Sequence, residues 1–317
     1  MKKKWKWYKK MRETRKVAVL AGGASSEREI SLKSGQTVFN ALKKKGLNAY
    51  LIDIKTESFG ELEKITADVV FIALHGKFGE DGSVQNILEE MGLPYTGSGV
   101  QASRLALDKV ASRGIFMEAG LKVPPSRVIT RDQDPSEILK DFEAPFVVKP
   151  QHEGSSIGLS IVTDLAHTDT ALQMAFDYGE VAIIEEYIHG RELTVGVLEE
   201  TALPVVEIVT RHSVYDFNAK YLDEGTKYIV PAAIDKALYD NARDLGLRTH
   251  KALGCRDFSR VDMRVDRNNN IYILEVNTIP GMTERSLLPK AALAKGLAFE
   301  DLCLKLINMA YERRGRG

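Results

Sequence analysis

The chain has 317 residues, 44% hydrophobic and 28% charged, the profile of a soluble globular protein of two or three domains. Its formal net charge of zero is uneven: residues 1–16 hold nine Lys/Arg against one acid (Glu13), and the rest holds 35 basic against 43 acidic side chains, a net of −8. Two cysteines, Cys255 and Cys303, exclude a disulfide framework and suit a reducing compartment, and the longest apolar run is far too short for membrane insertion.

The basic start, MKKKWKWYKKMRETRK, resembles the first region of a signal peptide, but VAVLA after it is too short for the apolar region required. Trp5, Trp7 and Tyr8 among the lysines would suit an anionic surface; a disordered extension, or a start at Met11, is the simpler expectation. VAVLAG (17–22), NAYLIDI (48–54) and ADVVFIAL (67–74) predict strands, and EREISLKSGQTVFNALKKKG a helix closing on Gly46. This βαβαβ order predicts a parallel, doubly wound sheet with ligands beyond its carboxyl edge, where GGASSERE (22–29) and HGKFGEDGS (75–83) emerge. One long helix is expected over 100–120. GSGVQA (97–102) matches a dinucleotide fingerprint, but it follows a poor strand containing Pro94 and is taken as a simple helix start.

A small α/β unit is expected over 102–188, with strands near 126–130, 146–150, 159–162 and 181–188. Within it, FVVKPQHEGSSIGLSIV (146–162) reads as a hairpin whose first strand ends in Lys149 and whose Gly/Ser loop offers backbone N–H groups to an anion. It is not the G-x-x-x-x-G-K-[ST] loop, because the lysine precedes the glycines. Beyond Glu192 come strands ELTVGVLE and PVVEIV, a polar stretch (211–227), a helix (235–253), strands FSRVDMRVD and NIYILEVN, and helices over 287–295 and 299–313.

In ILEVN, Glu275 and Asn277 lie two residues apart and share one strand face, and an antiparallel neighbour would set Asp262 beside them. Three oxygen ligands without His or Cys suit a hard cation such as Mg²⁺. The alternative, solvated polar positions at a strand edge, is weakened by their apolar neighbours. Arg260 shares the face of Asp262 and suits developing negative charge; Gly281 offers a close backbone N–H, and Ser286 a hydroxyl at a helix start for a carboxylate.

Taken together, GGASSEREISLKSG, ALHGKFGEDG, TGSG with LALDK, VVKPQHEGSSIG, IIEEYIHGRELTV, FNAKYL, SRVDMRVD and LEVNTIPGMTERSLLP resemble the D-alanine–D-alanine ligases of the ATP-grasp superfamily, in order, from residue 17 to the C-terminus. The resemblance implies an N-terminal doubly wound parallel-sheet domain (17–101) before a two-part ATP-grasp fold (102–188 and 189–317), with 1–16 outside it. It further implies that Lys109, Lys149 and Lys220 contact ATP phosphates and that Glu185 and Glu192 hold adenine and ribose. Glu27 would hold the ammonium of the first D-alanine, with His75 against the same substrate and Ser286 and Leu287 binding the second. Tyr221 would bond Ser155, and through it Glu27, on a loop that closes the site, while Arg260 and the Gly281 N–H serve the tetrahedral intermediate. Asp262, Glu275 and Asn277 would hold two Mg²⁺, for which Mn²⁺ can substitute. The implied setting is a cytoplasmic homodimer in peptidoglycan precursor synthesis, with D-alanine and ATP as partners and no nucleic acid. The rivals are a ligase with D-lactate or D-serine as second substrate, a nucleotide-binding module without catalysis, and a dinucleotide dehydrogenase.

Overall fold

The computed structural model describes residues 16–56, 59–210 and 225–313. The expected extension up to residue 15, and Lys220 and Tyr221 of the expected closing loop, lie outside the described residues. The chain opens with β1 (Lys16–Gly22), α1 (Arg28–Lys44), β2 (Asn48–Ile54), the short α2 (Phe59–Leu62), β3 (Val69–Ile72) and α3 (Ser83–Glu90). Lys16, expected in the extension, already belongs to the sheet: its N–H donates to Asp68 at 2.8 Å. The strands pair in parallel in the order β2-β1-β3, and β1 is buried along nearly its whole length, as expected of a parallel strand covered on both faces. Val17 and Val19 pack with Val38 and Leu42 of α1, while Ala18 and Leu20 pack with Val84 and Leu88 of α3. Gly35 permits the close approach of α1, because a Cβ there would lie 2.3 Å from that of Ala21.

The helix expected over 100–120 is two helices, α4 (Val100–Leu107) and α5 (Lys109–Glu118). Asp108 breaks it: its backbone is extended and its carboxylate accepts from the N–H groups of Val110 and Ala111, both at 3.0 Å, capping α5. The break makes Lys109 the first residue of a new helix and redirects its side chain. Next come β4 (Ser126–Thr130), α6 (Ser136–Leu139), β5 (Phe146–Pro150), β6 (Ser160–Val162), α7 (Thr168–Phe176) and β7 (Val181–Glu186). They form an antiparallel sheet in the order β4-β7-β5-β6, and Phe146, Val148 and Ile184 pack with Leu172 and Phe176 of α7.

The last third holds β8 (Arg191–Leu198), β9 (Thr201–Ala202), β10 (Val206–Val209), β11 (Lys227–Ile229), α8 (Lys236–Ala252), β12 (Phe258–Val265), β13 (Ile271–Asn277), α9 (Leu287–Ala294) and α10 (Phe299–Arg313). Its antiparallel sheet runs β11-β10-β8-β12-β13, with β9 paired to β8. Leu193, Val195, Val261 and Met263 pack with Leu238 and Ala242 of α8. Phe258, Leu288, Leu302 and Leu306 share one core with Val17, Val19 and Phe71, so the first and last sheets are joined through α9 and α10.

Candidate active site

The stretch from Phe146 to Val162 is the hairpin its composition predicts: β5 and β6 pair Phe146 with Val162 and Val148 with Ser160. Between them the backbone turns left-handed at Ser155 (φ 50°), Ser156 (φ 60°) and Gly158 (φ 68°). Serine rarely adopts that conformation, and strain of this kind clusters at sites that bind or close. The loop reaches the first sheet, where the Ser155 hydroxyl donates to the buried carboxylate of Glu27.

Beneath the hairpin, a cleft of about 860 Å³ separates the four-stranded sheet from the last one and is open to solvent. Lys109, Lys149, Glu185, Glu192, Asp262 and Glu275 are among the residues lining it. Its lining of apolar walls with a few convergent charges is that of a small-molecule site. Lys149 is buried at the end of β5 and donates to Glu185 Oε1 at 2.7 Å; Arg113 of α5 donates to Glu185 Oε2 at 2.8 Å. Lys109 donates to the Glu153 carbonyl, and burial lowers its pKa, with the nearby Lys149 charge acting in the same direction. Glu192 lies across the cleft and pairs with Arg264 at 3.2 Å.

A second cavity of about 330 Å³ adjoins the cleft and shares Lys109, Glu153 and Glu275 with it. Glu80, Gly154, Asn277 and Thr278 line it further in. At the junction, burial raises the pKa of Glu153, with Lys109 opposing and Glu27 reinforcing the rise.

The expected oxygen cluster is assembled by strand register: Asp262 stands directly opposite Glu275, and Arg260 opposite Asn277. Arg260 grips both oxygens of Asp262, at 2.8 and 2.7 Å, and the side-chain amide of Asn277 donates to one of them at 3.0 Å. Thr194 of the neighbouring β8 donates to Asp262 Oδ1 at 2.6 Å. The Glu275 side chain makes no hydrogen bond or ion pair among the described residues and lines both cavities. Among the described residues no group of three His, Cys, Asp or Glu side chains is placed to hold a metal, so a cation here would rest on two carboxylates and one amide. That donor set is all oxygen and carries a carboxylate aimed into the cleft, which fits Mg²⁺ in company with phosphates.

On the side of the first sheet, His75 is buried below Glu27 and bonds the Ser34 hydroxyl through Nε2 at 3.0 Å. Burial opposes charge on the ring, but the hydrogen bond and charge of Glu80, 3.7 Å away, outweigh it with help from Glu27 and raise its pKa. Ser34 also accepts from the Met282 N–H at 3.4 Å, which brings the turn after β13 to the same place. In that turn a Cβ on Gly281 would lie 3.0 Å from the Ser286 hydroxyl, which meets Thr283 Oγ1 at 2.9 Å. Leu287 begins α9 with its side chain buried in the core, so only its backbone could face a ligand.

Five residues of this network were not singled out from sequence: Arg113, Arg264, Thr194, Ser34 and Glu80. Three carried a periodic signal: Arg113 lies one helical turn after Lys109, Arg264 continues the alternation of Arg260 and Asp262, and Thr194 follows Glu192 on one strand face. Ser34 and Glu80 carried none, because their contacts span 41 residues and a loop.

Both the sequence and the fold are similar to those of known proteins. Family models described as D-ala D-ala ligase N-terminus and C-terminus match residues 16–61 with 56–98, and residues 115–308. A D-alanine–D-alanine ligase of Citrifermentans bemidjiense is 47% identical over 296 residues, covering 93% of this chain and 96% of the relative. The crystal structure of D-alanine–D-alanine ligase from Bacillus anthracis complexed with ATP superimposes with a TM-score of 0.84 at 31% identity, covering 96% and 99% of the two chains. VanG D-Ala:D-Ser ligase from Enterococcus faecalis gives 0.81 at 31% identity over 93% and 99%. With its parallel first sheet, its hairpin over the cleft and its paired Asp262 and Glu275, the chain belongs to the D-alanine–D-alanine ligase family of ATP-grasp enzymes.

Proposed function

We infer that this chain joins two D-alanines into D-alanyl-D-alanine, with ATP as the activating substrate. A bare carboxylate is a very poor acyl donor, so one oxygen of the first D-alanine attacks the γ-phosphorus and ADP leaves. The neutral amine of the second D-alanine then attacks the acyl carbon, a tetrahedral intermediate forms, and phosphate departs with the oxygen that made the acyl phosphate bond. The observation that carries this reading is the meeting of two cavities at Lys109, Glu153 and Glu275, the larger lined also by Lys149, Glu185 and Glu192 and the smaller by Asn277 and Gly154 of the hairpin loop.

Lys109 and Lys149, with Lys220, would neutralise phosphate charge, while Glu185 and Glu192 hold adenine and ribose groups. Asp262, Glu275 and Asn277 would hold Mg²⁺, which when bound screens the phosphoryl oxygens and aligns them for transfer. Glu27 would pair with the ammonium of the first D-alanine beside His75, with Ser155 fixing its carboxylate. Arg260 and the Gly281 N–H would face the tetrahedral oxyanion. The Ser286 hydroxyl and the Leu287 backbone N–H, at the start of α9, would take the carboxylate of the second substrate. Tyr221 would close over Ser155 and Glu27. We also assign the division at 17–101, 102–188 and 189–317, supported by the three sheets, and a cytoplasmic homodimer acting in peptidoglycan precursor synthesis. No described helix is long and apolar enough to cross a membrane.

The D-serine alternative for the second substrate is favoured by the likeness to VanG, but that identity is 31% against 47% for the D-alanine relative. Product analysis separates them: Mg²⁺, ATP and D-alanine, alone and with D-serine, D-lactate or L-alanine, should give D-alanyl-D-alanine as the dominant product, with one phosphate per peptide bond. A dominant mixed dipeptide or ester, or phosphate release without any dipeptide, would overturn the assignment.

A further inference from the structure

Arg113 is buried to the same degree as its partner Glu185, among the most buried ion pairs of the described residues, yet it does not line the cleft. Its guanidinium donates to Glu185 Oε2 at 2.8 Å, to Ser126 Oγ at 2.8 Å and to the Pro124 carbonyl. Three acceptors from two segments hold it in one place, at the root of β4. On the other side of the same carboxylate, Lys149 donates to Oε1 at 2.7 Å from the end of β5, the last strand residue but one before the hairpin loop. One buried carboxylate thus carries two buried cations, one pinned by backbone and hydroxyl acceptors and the other facing the cleft.

We propose that Arg113 is a positioning residue of the nucleotide site, a standing counter-ion to Glu185 that lets Lys149 leave that carboxylate for a phosphate. This rests on the nucleotide assignment made above. With Lys149 as sole partner, Glu185 would lose its compensation when the lysine swung toward the cleft, and a buried carboxylate stripped of its cation is strongly disfavoured. The carboxylate would then hold the lysine back, and the triphosphate would have to compete for it. With Arg113 in place, Glu185 stays compensated whichever way Lys149 points, so the lysine exchanges one anion for another at little cost. The fixed fork of a guanidinium suits the task, because it satisfies the carboxylate and the backbone carbonyl together.

The test is direct binding of ATP and of adenosine to the full chain, by calorimetry in Mg²⁺. Arg113→Met should weaken ATP by about tenfold or more, the loss of one competed charge contact, and leave adenosine within about twofold. Arg113→Lys keeps the charge and should lie between the two. In the Glu185→Gln background, where no carboxylate retains the lysine, adding Arg113→Gln should change ATP affinity by less than about twofold, even though each single change is felt. Equal losses for ATP and adenosine, or an undiminished effect of Arg113→Gln in the Glu185→Gln background, would mean that Arg113 is packing alone and would overturn the proposal. The double variant carries two neutral groups of similar shape, so it remains informative if Arg113→Met fails to fold. Lys149→Ala guards the underlying assignment: if it leaves ATP affinity unchanged, the lysine does not touch phosphate and the nucleotide reading fails. If Lys149→Ala weakens ATP and Arg113→Met does not, the counter-ion role alone is wrong.

Discussion

The hydrogen bond from Ser155 to Glu27 crosses 128 residues of sequence and joins the hairpin loop to the first helix of the chain. It does two things at once: it orients a buried carboxylate and holds a loop whose serines sit at φ 50° and 60° in a closed position. A hydroxyl donating to a carboxylate is worth roughly 1.5–3 kcal/mol, more than a neutral bond, because the acceptor is charged. Ser155→Ala should therefore lower kcat/KM for the first D-alanine by about 10- to 100-fold, while the KM for ATP moves by less than about threefold. Initial rates with each substrate varied in turn check this; a loss confined to ATP would mean that the serine serves the nucleotide and not Glu27.

β12 carries Arg260, Asp262 and Arg264 on alternate positions, and its placement depends on α8 behind it. One polar contact joins the two: His250 of α8 meets the Ser259 hydroxyl through Nδ1 at 2.7 Å, both side chains being buried. Burial pushes the His250 imidazole down from 6.5 to about 4, with Glu200 opposing and Lys251 reinforcing the shift. An unfolded chain takes up this proton near pH 6.5, whereas the folded protein holds off until about 4, so stability present above pH 6.5 is lost as pH falls between the two. The shift corresponds to a loss on the order of 3 kcal/mol. His250→Gln removes the titration, so the stability difference between wild type and variant should shrink by that amount from pH 7 to 4 in urea unfolding; parallel pH profiles would contradict the placement. The strands bearing this chemistry were legible in sequence because their pattern is local. Glu275 and Asn277 alternate on one face, and antiparallel pairing through a short turn brings Asp262 near them, but the irregularity in register between Asp262 and Met263 that sets Asp262 opposite Glu275 left no trace in the sequence. The break at Asp108 was not legible, because an aspartate inside an apolar helical pattern is ordinarily a solvated position and becomes a cap only when the chain turns there. The short β11 is equally opaque, since its pairing with β10 is decided by the sheet and not by its own three residues.

The sheet with the hairpin closes a core of its own, while the other two share one through α9 and α10. A second tie reinforces that union. Asp257 accepts from the Gly97 N–H at 3.0 Å and from Arg313, Arg313 also donates to the Tyr95 carbonyl, and Arg256 donates to the Gly97 carbonyl at 3.0 Å. The end of the first sheet, the start of β12 and the last helix are thereby locked together, which fixes Glu27 and His75 relative to Asp262 and Glu275. Such long-range contacts leave no periodic trace, which is why Ser34, bonded to His75 across 41 residues, emerged only with the fold. On the proposed assignment, the carboxylate of the first D-alanine and the γ-phosphate would meet near Glu275, where the two cavities join. The decisive measurement is the fate of oxygen. D-alanine labelled with ¹⁸O in its carboxylate, turned over with ATP and Mg²⁺, should deliver one labelled oxygen into the released phosphate for every dipeptide formed and leave the nucleotide as unlabelled ADP. Unlabelled phosphate, or label appearing in AMP, would show that the carboxylate never attacks the γ-phosphorus and would contradict the acyl phosphate route.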